Sequence, residues 1–456
     1  MRRILGHYMA TSWLLLGVVE TSLIAVGCCA AFYFLFSDPS ASAVSVAPFA
    51  VLLSLGIVVL MHSGGLYDGE GVVHIKRTLW RVAVIAAPIF LLAVWTTGEL
   101  ARHAVIRIYP YRWQWTFALT GLWLFSTVLL RVLFRQVLQS GLLTRRVVLV
   151  GMESHAAEIA DLVCESQQRF RLVGQFSGND DIVAAGSPAT LALLTSKLGA
   201  SEVVIAVGGK PLPWTMLANC RVSGIRVTDF LDFYEREGRR ICIESLREDW
   251  IALSNGFEVA KSNDRLRRLT DVLLALAGFV ATAPVLLLAA VAIKLEDGGP
   301  VFYRQERIGL AGHPFTLFKF RSMHHDAERD GKPAWAAEHD LRITSVGAFI
   351  RKVRIDELPQ FWNVLRGDMT LIGPRPERPY FVQRFSQSIP FYDYRHMVRP
   401  GITGWAQVRF RYGASIEDAR KKLSYDLYYI KNRGILLDIV ILLKTVGVVL
   451  RCEGAR

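Results

Sequence analysis

Charge is scarce in this chain. Only 20% of its 456 residues are Asp, Glu, Lys or Arg, against 52% hydrophobic residues, which leaves too little polar surface for an ordinary soluble protein of this length. Part of the chain is therefore expected in lipid. Cysteine is also rare: the six residues Cys28, Cys29, Cys164, Cys220, Cys242 and Cys452 form no Cys-x-x-Cys pair, and no histidine is spaced to complete a zinc site. They read as small buried hydrophobes. The start of the chain has no small-residue cleavage pattern behind Met1-Arg2-Arg3, and the apolar stretch that follows is longer than a signal-peptide core, so a retained anchor is expected. No RNA- or DNA-binding motif is present. The formal net charge of +13 is accordingly read as directed at anionic headgroups or phosphorylated substrates, with nucleic acid excluded as a partner.

What is present falls into about three units by length. Four apolar stretches occupy the first third, at Ser12 to Phe36, Val44 to His62, Val82 to Leu100 and Trp113 to Val137. Each approaches the roughly 20 residues that cross about 30 Å of hydrocarbon, and few ionisable groups interrupt them. Glu20 is the exception, readable as a functional intramembrane acid or simply as a paired one. Arg2 and Arg3, then Lys76, Arg77 and Arg81, then Arg145 and Arg146 alternate with the spans and place those segments inside the cell, while Arg102, Arg107 and Arg112 break the rule.

From Arg146 the texture changes. Val147-Val148-Leu149-Val150-Gly151 and Val203-Val204-Ile205-Ala206-Val207 read as buried strands, with a helix from His155 to Cys164 between them, the pattern of a Rossmann-like parallel sheet. Its first turn, Gly151-Met152-Glu153-Ser154-His155-Ala156, lacks the second and third glycines that let backbone approach a pyrophosphate, so a structural or regulatory module is expected rather than a dinucleotide site. Tyr234 to Trp250 is mixed and charged, a linker or a hairpin.

A fifth apolar segment, Val272 to Ile293, has no charged residue and carries Pro284 near its middle. Proline removes a helix hydrogen bond and bends the axis, so the segment either spans with a kink or enters and turns back there. The later run Ile435 to Leu450 is short, with Asp438 and Lys444, and is expected to lie in the membrane interface.

Pro300 to Val408 carries the chemistry. In Arg351-Lys352-Val353-Arg354-Ile355-Asp356-Glu357-Leu358-Pro359-Gln360 two adjacent acids follow three cations. Asp356 can be a helix N-cap; equally, the cations can keep a carboxylate ionised and nucleophilic while its neighbour holds a divalent metal on a diphosphate. Gly373-Pro374-Arg375-Pro376-Glu377 fixes one arginine between two prolines, suited to gripping phosphate with little entropy loss. Phe318-Lys319-Phe320-Arg321-Ser322-Met323 alternates like a half-buried strand, with Lys319 and Arg321 as a cationic wall. His324, His325, Asp326, Glu328 and Asp340 match no metal spacing and read as solvated loop residues.

These residues resemble the bacterial sugar transferases, the polyprenyl-phosphate phosphoglycosyltransferases. The matching text includes Gly299 to Tyr303, Gln305 to Gly309, Lys319 to Met323, Asp356 to Gln360, Asn363 to Met369, Gly373 to Glu377 and Pro400 to Val408. The resemblance covers about Arg265 to Leu450, and by layout the front end is similar to the large members that prime exopolysaccharide or O-antigen synthesis. It implies a ping-pong transfer in which Asp356 attacks the β-phosphate of a UDP-hexose, releases UMP and passes sugar-1-phosphate to undecaprenyl phosphate. It further implies that Glu357 binds Mg2+, that Arg375, Arg351 and Lys319 line the phosphate pocket, beside which Arg321 of the cationic wall is expected, and that the buried helix is re-entrant about Pro284. The family's kink usually reads Ser-Pro, whereas here Ala283 precedes Pro284.

The expected fold is then a membrane α-helical bundle of four spans over residues 1–143, a Rossmann-like α/β module over 144–230, a linker or β-hairpin over 231–262, and an α-rich catalytic domain over 263–456 whose re-entrant helix covers 266–296. Membrane lipids of the bacterial inner membrane, with the catalytic domain on the cytoplasmic face, and a homodimer through the hairpin and soluble module complete the expectation; glucose or galactose is the expected sugar. Two competing readings are an inactive membrane scaffold, opposed by the intact Asp356, Glu357 and Arg375, and a transporter, opposed by the extensive soluble segments.

Overall fold

The computed structural model describes residues 2–4, 7–9, 11–35, 43–67, 75–102, 112–141, 144–151, 158–159, 161–163, 169–176, 195–206, 214–257, 261–324, 340, 342–410, 413 and 415–450. The chain forms two compact units, one from Tyr8 to Gly238 and one from Arg239 to Arg456, with the first seven residues divided between them. The turn after Gly151, most of the helix expected at His155 to Cys164, and His325, Asp326 and Glu328 lie outside the described residues.

The first unit opens with four helices, α1 (Thr11–Leu35), α2 (Ala43–Ser63), α3 (Ile75–Arg102) and α4 (Arg112–Gln139). Ile24, Leu53, Ile57, Met61, Ile89 and Trp123 interlock as a dry core. The outer faces are equally apolar: Leu15, Val18, Trp80, Leu91 and Phe125 are all exposed. A bundle with leucine outside as well as inside suits hydrocarbon. Among the described residues, Thr78–Trp95 and Thr116–Gln139 in this unit and Asp264–Asp297 in the second are long and apolar enough to cross a membrane, whereas α1 and α2 contribute the shorter apolar segments Leu15–Gly27 and Val51–Ser63. Glu20 is a paired acid: it accepts from Tyr67 Oη at 2.5 Å and meets Arg131 Nη2 at 3.2 Å, and Arg131 Nη1 also holds the Leu66 carbonyl at 2.5 Å.

The same unit holds a four-stranded parallel sheet in the order β2 (Phe170–Phe176), β1 (Arg145–Gly151), β3 (Glu202–Ala206), β4 (Arg226–Asp229). Continuous Val/Ile/Leu runs belong in the middle of such a sheet because both faces are covered, and Val147 to Val150 and Val203 to Ile205 are buried there. The edge strands β2 and β4 are more polar, and periodicity alone did not reveal them. The stretch expected as a linker or hairpin is instead helical at both ends, at α6 (Phe230–Gly238) and α7 (Glu248–Leu253), with α5 (Trp214–Val222) preceding them. Its charges explain the difference: Glu237 meets Arg145 at 2.5 Å and Arg236 at 2.8 Å, and Arg236 also bonds Glu202, which fastens α6 to the sheet.

The second unit is organised along α8 (Lys261–Asp297), a single helix with Pro284 inside it. Both ends of the helix are fastened to the unit. At its start Arg267 pairs with Asp438 at 2.8 Å, Arg268 donates to the Val364 and Leu365 carbonyls, and Asp271 accepts from Thr370 Oγ1 and Leu371 N. Further along, a Cβ at Gly278 would lie 2.9 Å from the Phe361 ring, so only glycine permits that approach. Near its end Ala289 and Ile293 pack with Phe320 and Ile350, Glu296 accepts from Val346 N at 3.0 Å, and Asp297 pairs with Arg321. Leu273, Leu274, Val280, Leu287, Leu288 and Leu295 on the remaining surface are exposed.

Around α8 stand the antiparallel hairpin β5 (Phe302–Ile308) and β6 (Pro314–Phe320), then α9 (Ser345–Lys352), α10 (Gln360–Arg366), the strand β7 (Thr370–Ile372), α11 (Pro379–Ser388), the strand β8 (Gly401–Thr403), α12 (Trp405–Arg409), α13 (Ile416–Lys431) and α14 (Ile435–Leu450). β7 and β8 pair in parallel, and their close approach continues into Gly373. A Cβ on Gly401 would sit 2.1 Å from Gly373 N, so Gly401→Ala is expected to part the two strands at a cost of about 1–3 kcal/mol. A thermal melt of the purified chain checks this, and an unchanged melting temperature would contradict it.

Candidate functional site

Asp356 and Glu357 sit in a short 3-10 turn, Ile355–Glu357, between α9 and α10. Helix α9 is capped by Thr344, whose hydroxyl accepts from Gly347 N, and it stops at Val353. Arg354 then takes a left-handed conformation, φ 62°, which turns the chain sharply before the acids. A non-glycine residue there costs strain, which the packing on both sides must hold. Asp356 is not the N-cap of the following helix, a place that Pro359 takes.

Consecutive residues in so tight a turn point in different directions, and their partners differ accordingly. Glu357 Oε1 gathers the cations: Arg375 Nη2 at 2.7 Å, Lys319 Nζ at 3.0 Å and Arg354 Nη1 at 3.8 Å. Asp356 is buried, 8% exposed, and its Oδ1 has no hydrogen-bond partner among the described residues. Burial pushes Asp356 above the usual aspartate value; Lys319, Arg351 and Arg354 oppose that, while the Glu357 charge adds to it. Burial would push Glu357 up as well, but Arg375, Lys319, the Arg375 hydrogen bond and Arg354 outweigh it and hold that carboxyl well below its usual range. The cations therefore serve Glu357 first, and Asp356 feels them only through space, a division of roles that the sequence left open.

Lys319 and Arg375 arrive from separate elements. Lys319 projects from β6, whose register to α10 is fixed by the buried Asn363: its Oδ1 accepts from Phe318 N at 3.0 Å and its Nδ2 donates to the Thr316 carbonyl at 2.7 Å. Arg375 stands on a loop in which four successive carbonyls are held. Gly401 N donates to Pro374 O at 2.9 Å, Arg395 Nη2 to Arg375 O at 2.9 Å, Arg307 Nη1 to Pro376 O at 3.0 Å, and Ile308 N to Glu377 O at 3.0 Å. The rigidity expected from two prolines is thus supplemented by main-chain anchoring from β5, β8 and the 3-10 segment Tyr392–Met397. Arg307, Asn363, Arg395 and Asp426 were not singled out from sequence, although a lone acid in the apolar stretch Leu423 to Tyr429 is a signal for a buried, partnered charge.

The other expected cations sit differently. Arg321, just beyond the end of β6, is buried and bonds Asp297 at the close of α8, while its Nη1 has no hydrogen-bond partner among the described residues. Its charge is therefore shared with a carboxylate outside the Asp356–Glu357 turn. Arg351 lies in the last turn of α9, its Nη1 buried without a hydrogen-bond partner among the described residues and its charge acting on Asp356. Asp340 is engaged with Arg342 Nη2 at 2.6 Å.

The family described as bacterial sugar transferase matches residues 262–452, the segment that contains every group above. The chain is 44% identical over 240 residues to the UDP-N-acetylgalactosamine-undecaprenyl-phosphate N-acetylgalactosaminephosphotransferase of Aeromonas hydrophila, covering 53% of this chain and 56% of that protein. It is 40% identical over 203 residues to the UDP-glucose:undecaprenyl-phosphate glucose-1-phosphate transferase of Xanthomonas campestris pv. campestris, covering 44% and 41% respectively. A Caulobacter vibrioides protein with that same name is 44% identical over 195 residues, 42% of this chain and 72% of the relative. The chain spans about half the length of the first two of these relatives.

Proposed function

The chain belongs to the bacterial sugar transferase family, and on that premise we propose that it transfers a hexose-1-phosphate from a UDP-sugar to undecaprenyl phosphate, with release of UMP. One observation carries the assignment of roles: a buried carboxylate oxygen on Asp356 with no partner lies beside a Glu357 that already holds two cations. In the first step an Asp356 oxygen attacks the β-phosphorus, the bond to the bridging oxygen breaks, and UMP leaves with that oxygen and its electron pair. In the second, an oxygen of undecaprenyl phosphate attacks the same phosphorus and returns the Asp356 carboxylate. Arg375 and Lys319 exchange part of their hold on Glu357 for the diphosphate and offset its charge.

The oxygen donors also fit Mg2+, which favours one or two carboxylates together with substrate phosphates. Asp356 Oδ1 is an orphaned hard donor, and Glu357 is held ionised beside it. These two residues would hold the ion, which when bound would neutralise charge on the diphosphate.

The same reading gives α8 its place. Arg267, Arg268 and Asp271 near one end and Glu296 and Asp297 at the other all bond within one folded unit, which supports a helix that enters the bilayer and returns to the face it left. A helix of 37 residues is about 55 Å long, more than a crossing requires, and Pro284, which removes one helix hydrogen bond, is where this reading puts a bend. The cytoplasmic face of the inner membrane is the side that supplies nucleotide sugars, and α14 then lies along the interface.

The test is to incubate membranes containing the full chain with undecaprenyl phosphate and UDP-glucose, UDP-galactose or UDP-N-acetylgalactosamine, and to follow UMP. Release with at least one donor, and labelled sugar-phosphate retained on the protein when the acceptor is withheld, are expected. Absence of UMP with all three would overturn the reading. A pH series sharpens it. Attack requires ionised Asp356, whose pKa lies above the ordinary aspartate value, so the acid limb of the UMP-release profile should lie above that of a solvated carboxylate. Lys319 lowers that pKa, and Lys319→Ala should move the limb to higher pH whatever it does to the maximal rate; a limb unmoved or moved down would contradict the assignment.

A further inference from the structure

Bound to the main chain of the Arg375 loop is a charged pair that the transfer chemistry does not use. Arg395, in the 3-10 segment, and Asp426, in the middle of α13, are 5% and 2% exposed and meet at 2.9 Å. Arg395 has its hands full: Nη2 bonds both Asp426 Oδ2 and the Arg375 carbonyl, and Nη1 donates to Tyr392 Oη at 2.6 Å. Asp426 also faces the charges of Glu377, in the loop, and of Lys422, on its own helix. Burial pushes the Asp426 carboxyl up to about 6 even with Arg395 against it, so its charge is kept at a cost to the fold. A buried ion pair seldom adds net stability over an apolar pair of the same shape, whereas it does fix geometry. What this pair fixes is a main-chain oxygen of the residue whose side chain reaches Glu357 at 2.7 Å.

We propose that Arg395, oriented by Asp426 and Tyr392, is a positioning residue for the transfer, setting the Arg375 carbonyl and through it the placement of the Arg375 guanidinium toward the donor diphosphate. This rests on the function proposed above. The influence of Arg395 and Asp426 runs through one peptide unit, which makes the inference separable from a general contribution to folding.

The experiment uses the full chain in membranes and measures kcat and KM for the UDP-sugar in Asp426→Asn, Tyr392→Phe, Arg375→Lys and the double variant Arg375→Lys with Asp426→Asn. A misplaced catalytic contact typically lowers efficiency by about 10- to 100-fold, and Asp426→Asn is expected to lower kcat/KM by that much, with a rise in the donor KM. Tyr392→Phe, which removes only a hydroxyl, should do so to a smaller degree and keeps the test alive if Asp426→Asn accumulates poorly. In the Arg375→Lys background the second substitution should add less than about twofold, because residues acting through one contact are not additive. Full additivity, or a fall in active protein with KM unchanged, would assign the pair to folding alone and overturn the proposal. A wild-type chain that releases no UMP from any donor would instead remove the reading beneath it.

Discussion

Asp356→Asn is expected to reduce UMP release by about 1,000-fold or more, since a carboxamide is nearly isosteric but cannot form the acyl phosphate on which the first step depends. The same substitution should leave the melting temperature unchanged or higher. Asp356 has its pKa raised in the folded chain, so the fold favours the protonated form, gains stability as pH falls, and bears the cost of the buried charge at neutral pH. Asparagine removes that cost. Loss of activity with stability retained is therefore the signature of a functional carboxylate, and it should be read from UMP release and a thermal melt on the same preparation. Release within tenfold of wild type would rule Asp356 out as the nucleophile.

Glu357→Gln should produce the second largest effect, with the opposite pattern in stability. The substitution leaves Arg375, Lys319 and Arg354 without the charge they share, and kcat/KM is expected to fall about 100-fold. Because the folded pKa of Glu357 is depressed, its contribution to stability is present above the unfolded carboxylate value and is lost as pH falls through the folded one. At neutral pH glutamine should therefore destabilise the chain, by about 1–3 kcal/mol after allowing for the hydrogen bonds it can still accept and for partly exposed cations. It also removes a charge that raises Asp356, so whatever activity remains should have its acid limb at lower pH. An acid limb displaced upward would show that the two carboxyls are not linked as described.

Much of this was legible in the chain because apolar segments and charge clusters are local signals. The helices of the first third and the long segment about Pro284 stand out by hydropathy, and the strands around Val147 and Val203 by continuous branched residues. Asp356, Glu357, Lys319 and Arg375 were recognisable as a set. What sequence did not convey was allocation: that a lysine 38 positions away and an arginine 18 positions away both close on Glu357, while the aspartate beside it is left to burial. That choice depends on a left-handed residue at Arg354 and a 3-10 turn, which are set by packing and have no compositional signature. Arg321 shows the converse. It lies in the cationic run with Lys319, yet the strand ends at Phe320, and Asp297 from α8 accepts it. The polar edge strands and the helical ends of the segment from Phe230 to Leu253 escaped for a related reason, since α6 is held by partners distant in sequence, Glu237 pairing with Arg145 and Phe233 packing on Phe170.

The loop that presents Arg375 is secured by its own main-chain oxygens, and the groups that secure them come from Gly401, Arg395, Arg307 and Ile308. A random search for loss-of-function alleles should consequently recover lesions at Arg307, Arg395 and Gly401, none of them adjacent to Arg375 in the sequence, as phenocopies of Arg375 itself. The prolines on either side of Arg375 would then be less sensitive to replacement than those distant keepers, an inversion of the ranking that proximity to the chemistry would suggest.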